Sequence, residues 1–308
     1  MKSPDSSRAR TILSAAGVTP SKTRGQNFLT QGAIADRIVA AADLNPSDDV
    51  VEIGPGLGIL TERILQRDVR SLTVVELDHT LAERLRETYA ADRRVTAVES
   101  DFVKIDFRSL GKTPVKVIGN LPFNAAAAIF RMLCDHHDHV ATIVAMFQRE
   151  VGERIRATPR DSEYSALSVY AALYFDIDLH FRVAAGSFHP KPKVDAEVLR
   201  FRPRKDLLFD RDEEPRVLET VRASFSAPRK MIRNSLAGGL AISSGDAAAA
   251  LSRAQIDSTA RAESLSPSDF VKLARALRQN ARAPGSGIAA PHSHPLRGGA
   301  NNRRRSNW

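Results

Sequence analysis

From about residue 50 to residue 147, short apolar runs alternate with amphipathic segments. The runs Asp49–Ile53, Leu72–Glu76, Val95–Val98, Val115–Ile118 and Thr142–Phe147 are rich in Val and Ile, the pattern of strands buried on both faces. Between them, Leu60–Gln66, Thr80–Tyr89 and Ala126–Cys134 carry apolar residues at helical spacing. That alternation predicts a parallel sheet with helices on both faces, an α/β doubly wound fold. Two further runs, Asp176–Val183 and Glu197–Phe201, predict an antiparallel hairpin at the sheet edge.

Beyond the charged stretch Lys205–Glu214 the pattern changes. Pro215–Ser226, Lys230–Leu236, Asp246–Ala254 and Pro267–Arg278 read as helices, and Pro215 and Pro267 fall where a first helical turn tolerates proline. The expected organisation is a basic arm over 1–24, an α/β domain over 25–204 and a small helical domain over 205–278. Residues 279–308 offer almost nothing to bury and predict a disordered, Arg-rich tail.

Charge sharpens this division. The chain carries +9; residues 1–27 hold five Lys/Arg against one Asp, and residues 279–308 hold five Arg and no acid, so the body between them is neutral. Basic arms on a neutral body suit a polyanionic partner, because neutralising phosphates releases counterions without defined geometry. Arg222, Arg229 and Arg233 read as a basic cluster made by two helices, since Pro228 interrupts a single one. A single cysteine, Cys134, excludes an intramolecular disulfide framework and a multi-cysteine zinc site. The run Cys134–His139 reads as a surface loop, and no metal is expected. No stretch approaches the ~20 apolar residues of a membrane span, and Met1-Lys2-Ser3-Pro4-Asp5 lacks the apolar core of a secretory signal. A cytoplasmic, soluble protein is expected.

The candidate chemistry lies at the strand ends. Glu52-Ile53-Gly54-Pro55-Gly56-Leu57-Gly58 follows a strand and opens a helix, with the spacing E-x-G-x-G-x-G rather than the G-x-G-x-x-G of a nicotinamide site. Its glycines let the backbone turn sharply against a ligand. Glu76 closes the next strand, where a carboxylate can accept from ribose hydroxyls; Asp101 follows the third and can accept from an adenine amine; Asn120 closes the fourth. Open α/β sheets bind ligands at this edge.

Asn120-Leu121-Pro122-Phe123 is the most specific signal. An aromatic amine such as adenine N6 is a poor nucleophile, because its lone pair is delocalised into the ring. A site that alkylates it should hold both N–H groups with acceptors and aim the lone pair at the electrophile. The Asn120 side-chain oxygen and the Leu121 carbonyl can be those acceptors, with Pro122 fixing the turn and Phe123 stacking on the base. No general base is required, because the alkylated ammonium is itself a strong acid. A second ring for the other base face is expected from Phe188, on the loop Ser187-Phe188-His189-Pro190-Lys191-Pro192-Lys193-Val194-Asp195, whose lysines suit phosphates.

Together, Gly25-Gln26-Asn27-Phe28-Leu29, the E-I-G-P-G-L-G run, Glu76-Leu77-Asp78, Asn120-Leu121-Pro122-Phe123 and F-H-P-K-P-K-V-D resemble the ribosomal RNA adenine dimethyltransferase family over roughly residues 20–278. Arg229–Leu236 and Arg261–Leu265, with Leu121 inside the motif, are similar to its small-subunit (KsgA-type) branch rather than its large-subunit (Erm-type) branch. The resemblance implies a Rossmann-like class I methyltransferase sheet using S-adenosylmethionine, with Asn27, Leu29, Gly54, Glu76, Asp101 and Asn120 at the cofactor. It implies dimethylation of two adjacent adenosines in the 3′-terminal hairpin loop of small-subunit (16S) RNA, within an immature 30S-type subunit and by a monomer. An Erm-type enzyme of 23S RNA and a non-catalytic ribosome assembly factor are the alternatives. The family usually has Tyr where this chain has Phe123, so stacking is kept and a hydroxyl is lost; Ala125-Ala126-Ala127-Ala128 likewise replaces more polar residues.

Overall fold

A computed structural model describes residues 11, 13–14, 17–20, 25–112 and 114–282. Its strands are β1 (Phe28–Leu29), β2 (Asp49–Ile53), β3 (Ser71–Glu76), β4 (Val95–Glu99), β5 (Val115–Asn120), β6 (Val140–Gln148), β7 (Phe175–Val183), β8 (Phe188–His189) and β9 (Ala196–Pro203). Seven of them form one sheet in the order β4-β3-β2-β5-β6-β9-β7. The members from β2 to β6 are parallel, while β9 runs antiparallel to both β6 and β7. Every predicted run is a strand, and the expected hairpin is present, with β9 inserted beside β6 and β7 left at the edge. The strand order reverses between β2 and β5, and such a switch point opens a crevice at the carboxyl ends of the strands.

The helices are α1 (Gly32–Ala41), α2 (Ile59–Leu65), α3 (His79–Thr88), α4 (Ala126–Asp135), α5 (Arg149–Arg156), α6 (Ala166–Tyr174), α7 (Glu214–Ser224), α8 (Ile232–Leu240), α9 (Ser244–Arg253) and α10 (Pro267–Arg282). Capping residues explain two helix starts: Asp78 caps α3 by accepting from the Thr80 and Leu81 amides, and Ser243 caps α9 through the Asp246 amide. Separate helices α7 and α8 bracket Pro228, as the proline implied. Helix α10 runs to Arg282, through the first four residues of the expected tail; the rest of the tail and most of the N-terminal arm lie outside the described residues.

One apolar cluster runs from the sheet into the helical region, joining Val51 and Val117 through Phe130, Phe147 and Phe201 to Val221, Leu236, Leu251 and Phe270. The helical part therefore shares its core with the sheet. Tyrosines stitch the junction: the Tyr164 hydroxyl donates to the Leu265 carbonyl at 2.9 Å and the Tyr170 hydroxyl to the Leu218 carbonyl at 3.3 Å. At the β9 end of the sheet, fully buried Glu197 accepts from Arg156 of α5 at 2.9 Å and from Arg182 of β7 at 3.2 Å. A carboxylate so buried needs both partners, and together they tie α5 to the sheet edge.

Candidate active site

At the carboxyl ends of the strands lies a cavity of about 440 Å³, within the range of small-molecule sites. Its walls come from the segment 25–29, the turn after β2, the ends of β3, β4 and β5, and the start of α4. The turn is built on left-handed glycines, with φ of +64° at Gly54, +55° at Gly56 and +83° at Gly58. Gly56 also lies against the Phe28 ring, which a Cβ there would approach to 2.9 Å. The sequence therefore needs glycine at 56 for two independent reasons.

Glu76 stands beneath this turn with both carboxyl oxygens held. Oε2 accepts from the Gly56 amide at 3.1 Å and Oε1 from the Asp78 amide at 2.9 Å. Burial pushes its carboxyl up, while these bonds oppose the shift. Each oxygen keeps a further lone pair for a hydroxyl donor in the cavity. At the end of β4, Asp101 accepts from the Val103 amide at 3.2 Å and pairs with Lys104 at 3.6 Å. Leu77 and Val103, both apolar and exposed, line the cavity beside it. Leu77 directly follows the carboxylate that closes β3, whereas Val103 sits two residues after Asp101, in the short turn that Asp101 caps.

Glu52 lies below the glycine turn, wholly inaccessible to solvent. Its Oε2 accepts from the Thr61 hydroxyl at 2.7 Å, and its Oε1 is buried without a partner. Burial, with a contribution from the charge of Glu76, pushes its carboxyl from 4.5 up to about 8. A raised carboxyl pKa means the folded protein binds this proton more tightly than the unfolded chain. Its contribution to stability is complete below about pH 4.5 and is lost as pH rises through about 8. Thermal unfolding of the wild type is therefore expected to shift to lower temperature between pH 5 and pH 8.5, and less steeply in Glu52→Gln. Equal slopes for the two proteins would refute the assignment.

At the end of β5, the Asn120 amide nitrogen Nδ2 donates to the Asn27 carbonyl at 2.9 Å. Asn120 Oδ1 is buried without a partner. The turn that follows closes when the Ala125 amide donates to the Pro122 carbonyl at 2.9 Å, directly before α4. Leu121 is buried in the core cluster and also lines the cavity. Thus Asn27, Leu29, Gly54, Glu76, Asp101, Asn120, Leu121, Pro122 and Phe123 all line one cavity.

Phe188 does not join them as expected. It lies in β8 rather than in a free loop, paired with Leu29 of β1, and its ring is buried. The Phe123 and Phe188 rings meet edge to face, 6.2 Å apart at 66°. A base sandwich needs two parallel faces separated by a ring's thickness, so Phe188 instead buttresses Phe123 from below. Side-chain burial against Val183, Ala196 and Val198 won over exposure here. The Cys134–His139 segment serves structure: Asp138 pairs with Arg108 at 3.1 Å and Arg211 at 3.4 Å. No cluster of metal-ligating side chains occurs among the described residues.

Residues 19–279 match the family model described as ribosomal RNA adenine dimethylase. Among curated proteins, the chain is 38% identical to the ribosomal RNA small subunit methyltransferase A of Geobacter sulfurreducens, over 85% of this chain and 96% of that protein. It is 40% identical to the protein of the same name from Syntrophotalea carbinolica, over 84% and 97%. Among solved structures, a dimethyladenosine transferase from Plasmodium falciparum shares the fold at TM-score 0.68 and 22% identity, over 80% of this chain and 95% of that one. The 23S rRNA methyltransferase ErmE aligns at TM-score 0.61 and 27% identity, over 82% and 100%.

Proposed function

The chain belongs to the ribosomal RNA adenine dimethylase family, and on that premise we propose that it dimethylates N6 of two adjacent adenosines in the 3′-terminal hairpin loop of 16S RNA. S-adenosylmethionine is the methyl donor, and an immature 30S-type subunit presents the substrate to a monomeric, cytoplasmic enzyme. The observation that carries this reading is the Asn120 carboxamide, whose nitrogen is engaged by Asn27 and whose buried oxygen has no partner. A buried acceptor left open costs about 1–3 kcal/mol, and a donor from an incoming amine would relieve it.

The cavity also fits the cofactor. Glu76 would take the ribose hydroxyls, Asp101 the adenine amine between Leu77 and Val103, and Asn27, Leu29 and Gly54 the remaining wall. Bound there, S-adenosylmethionine supplies an electrophilic methyl group. Asn120 Oδ1 and the Leu121 carbonyl accept the two N–H groups of the target amine and turn its lone pair out of the ring plane. Phe123 stacks on the base, a contact worth roughly 1–3 kcal/mol, with Phe188 fixing its tilt. The exposed Arg222 and Arg229, on and after α7, contact RNA phosphates.

Small-subunit RNA is favoured over 23S RNA because relatives named for the small subunit align at 38% and 40% identity along nearly their whole lengths, against 27% for ErmE. Retention of Asn120 and of the glycine turn opposes a purely structural assembly factor. The deciding experiment is mass spectrometry of the terminal-hairpin adenosines of 16S RNA from cells with and without this protein. Two methyl groups on each of the two adenosines are expected only in its presence; modification confined to 23S RNA would overturn the substrate.

A further inference from the structure

The segment Gly25–Thr30 reaches the glycine turn, Asn120 and the ring behind Phe123 at once. The Asn27 side chain donates to the Gly25 carbonyl at 3.2 Å and closes a short turn. The Phe28 ring lies on Gly56 of the cofactor turn. Leu29 pairs with Phe188, the ring behind Phe123. Beyond them, the Thr30 amide and hydroxyl both donate to the Ser187 carbonyl, at 2.9 and 3.0 Å. Gly25 itself has φ +64°, and a Cβ there would come within 2.8 Å of Asn124 Oδ1, so the segment is held at both ends.

The consequence falls on Asn120. A carboxamide has nearly the same shape in its two flipped forms but opposite polarity. In one form Oδ1 faces the site and can accept an N–H of the target. In the other, an NH₂ group faces the amine and can accept nothing. What selects between them is the Asn27 carbonyl, which can only accept and so must face Nδ2. In the reverse form two oxygens would oppose each other across the same gap.

We propose that Gly25–Thr30 is a positioning strap, and that the Asn27 main-chain carbonyl sets the polarity of Asn120 toward the target amine. The segment's role is thus extended from the cofactor wall to the amine itself. The inference rests on the reading of Asn120 as the amine's acceptor.

The test uses two variants of the full chain. Gly25→Ala strains the left-handed turn and displaces the strap, while Thr30→Val removes a hydroxyl anchor outside the cavity. The side-chain carboxamide of Asn120 is followed by ¹H–¹⁵N NMR, assigned by its loss in Asn120→Ser. In parallel, S-adenosylhomocysteine affinity and kcat on 16S-containing subunits at saturating cofactor are measured. In the wild type the Asn120 amide protons are expected to exchange slowly. In Gly25→Ala, exchange accelerates and kcat drops about 10- to 100-fold; Thr30→Val changes both in the same direction by less. Thr30→Val carries the test alone if Gly25→Ala does not fold. Unchanged Asn120 exchange with reduced kcat, a loss confined to cofactor affinity, or no change in either variant each overturns the proposal. Failure of the functional reading is distinct: the wild type itself would then transfer no methyl group to the RNA, whatever the carboxamide signals show.

Discussion

Asn120→Ala is expected to lower the rate of methyl transfer by at least about 10²–10³-fold, the range seen when one preorganised hydrogen-bonding group is removed from a reacting centre. The side chain does two things that alanine cannot replace. In the proposed mechanism it accepts from the target amine and keeps the lone pair from delocalising into the adenine ring. Its loss also frees the Asn27 carbonyl, at a cost to stability of about 1 kcal/mol, which the fold tolerates. RNA affinity is expected to stay within about twofold, because the phosphate contacts lie elsewhere. Single-turnover methylation and gel-shift titration on the same preparations separate the two quantities. Undiminished transfer by the variant would eliminate Asn120 as the amine's acceptor.

Gly56→Ala is expected to damage both fold and cofactor binding, although it adds one methyl group. An L-residue at φ +55° costs about 1–2 kcal/mol, and overpacking against the Phe28 ring costs about 1–3 kcal/mol more. Urea unfolding should therefore show a loss of about 2–5 kcal/mol. The displaced turn also carries the amide that holds Glu76, so calorimetric titration with S-adenosylhomocysteine should show affinity lowered by about tenfold or more. Gly186 is the control, since a Cβ there meets nothing within 4 Å, and Gly186→Ala should change neither quantity appreciably. Wild-type affinity in Gly56→Ala would show that the close approach of Phe28 is not needed.

The sheet was legible because its central strands β2, β3, β5 and β6 are mostly buried and so read as Val/Ile-rich runs bounded by charge and glycine. The cavity-lining polar groups were legible because chemistry and position coincide near strand ends: Glu76 and Asn120 each close a strand, and Asp101 follows β4 by two residues. Three kinds of feature were not. Helix α6, Ala-Leu-Ser-Val-Tyr-Ala-Ala-Leu-Tyr, is apolar nearly all round, and periodicity cannot identify a helix without a polar face. Strands β1 and β8 are two residues each and have no period to read. The burial of Phe188 was hidden for the same reason: it is decided by pairing with residue 29, and no local pattern carries that information. Glu52 shows the limit from the other side. It heads the glycine motif, yet its carboxyl is held by Thr61 and it is absent from the cavity wall.

The pairing of β1 with β8 also fixes when the site can exist. Phe28 meets His189 and Leu29 meets Phe188, so the two halves of this small sheet are separated by nearly the whole α/β region in the chain. During synthesis the N-terminal segment emerges first and has no strand partner until residues 188 and 189 have been made. Closing so long a loop carries an entropic cost that grows with the logarithm of its length, and only a framework already built by β2 to β6 can offset it. The cavity is thus one of the last parts of the protein to form. The cavity wall formed by segment 25–29 is therefore complete only once a strand from far along the chain has paired with it.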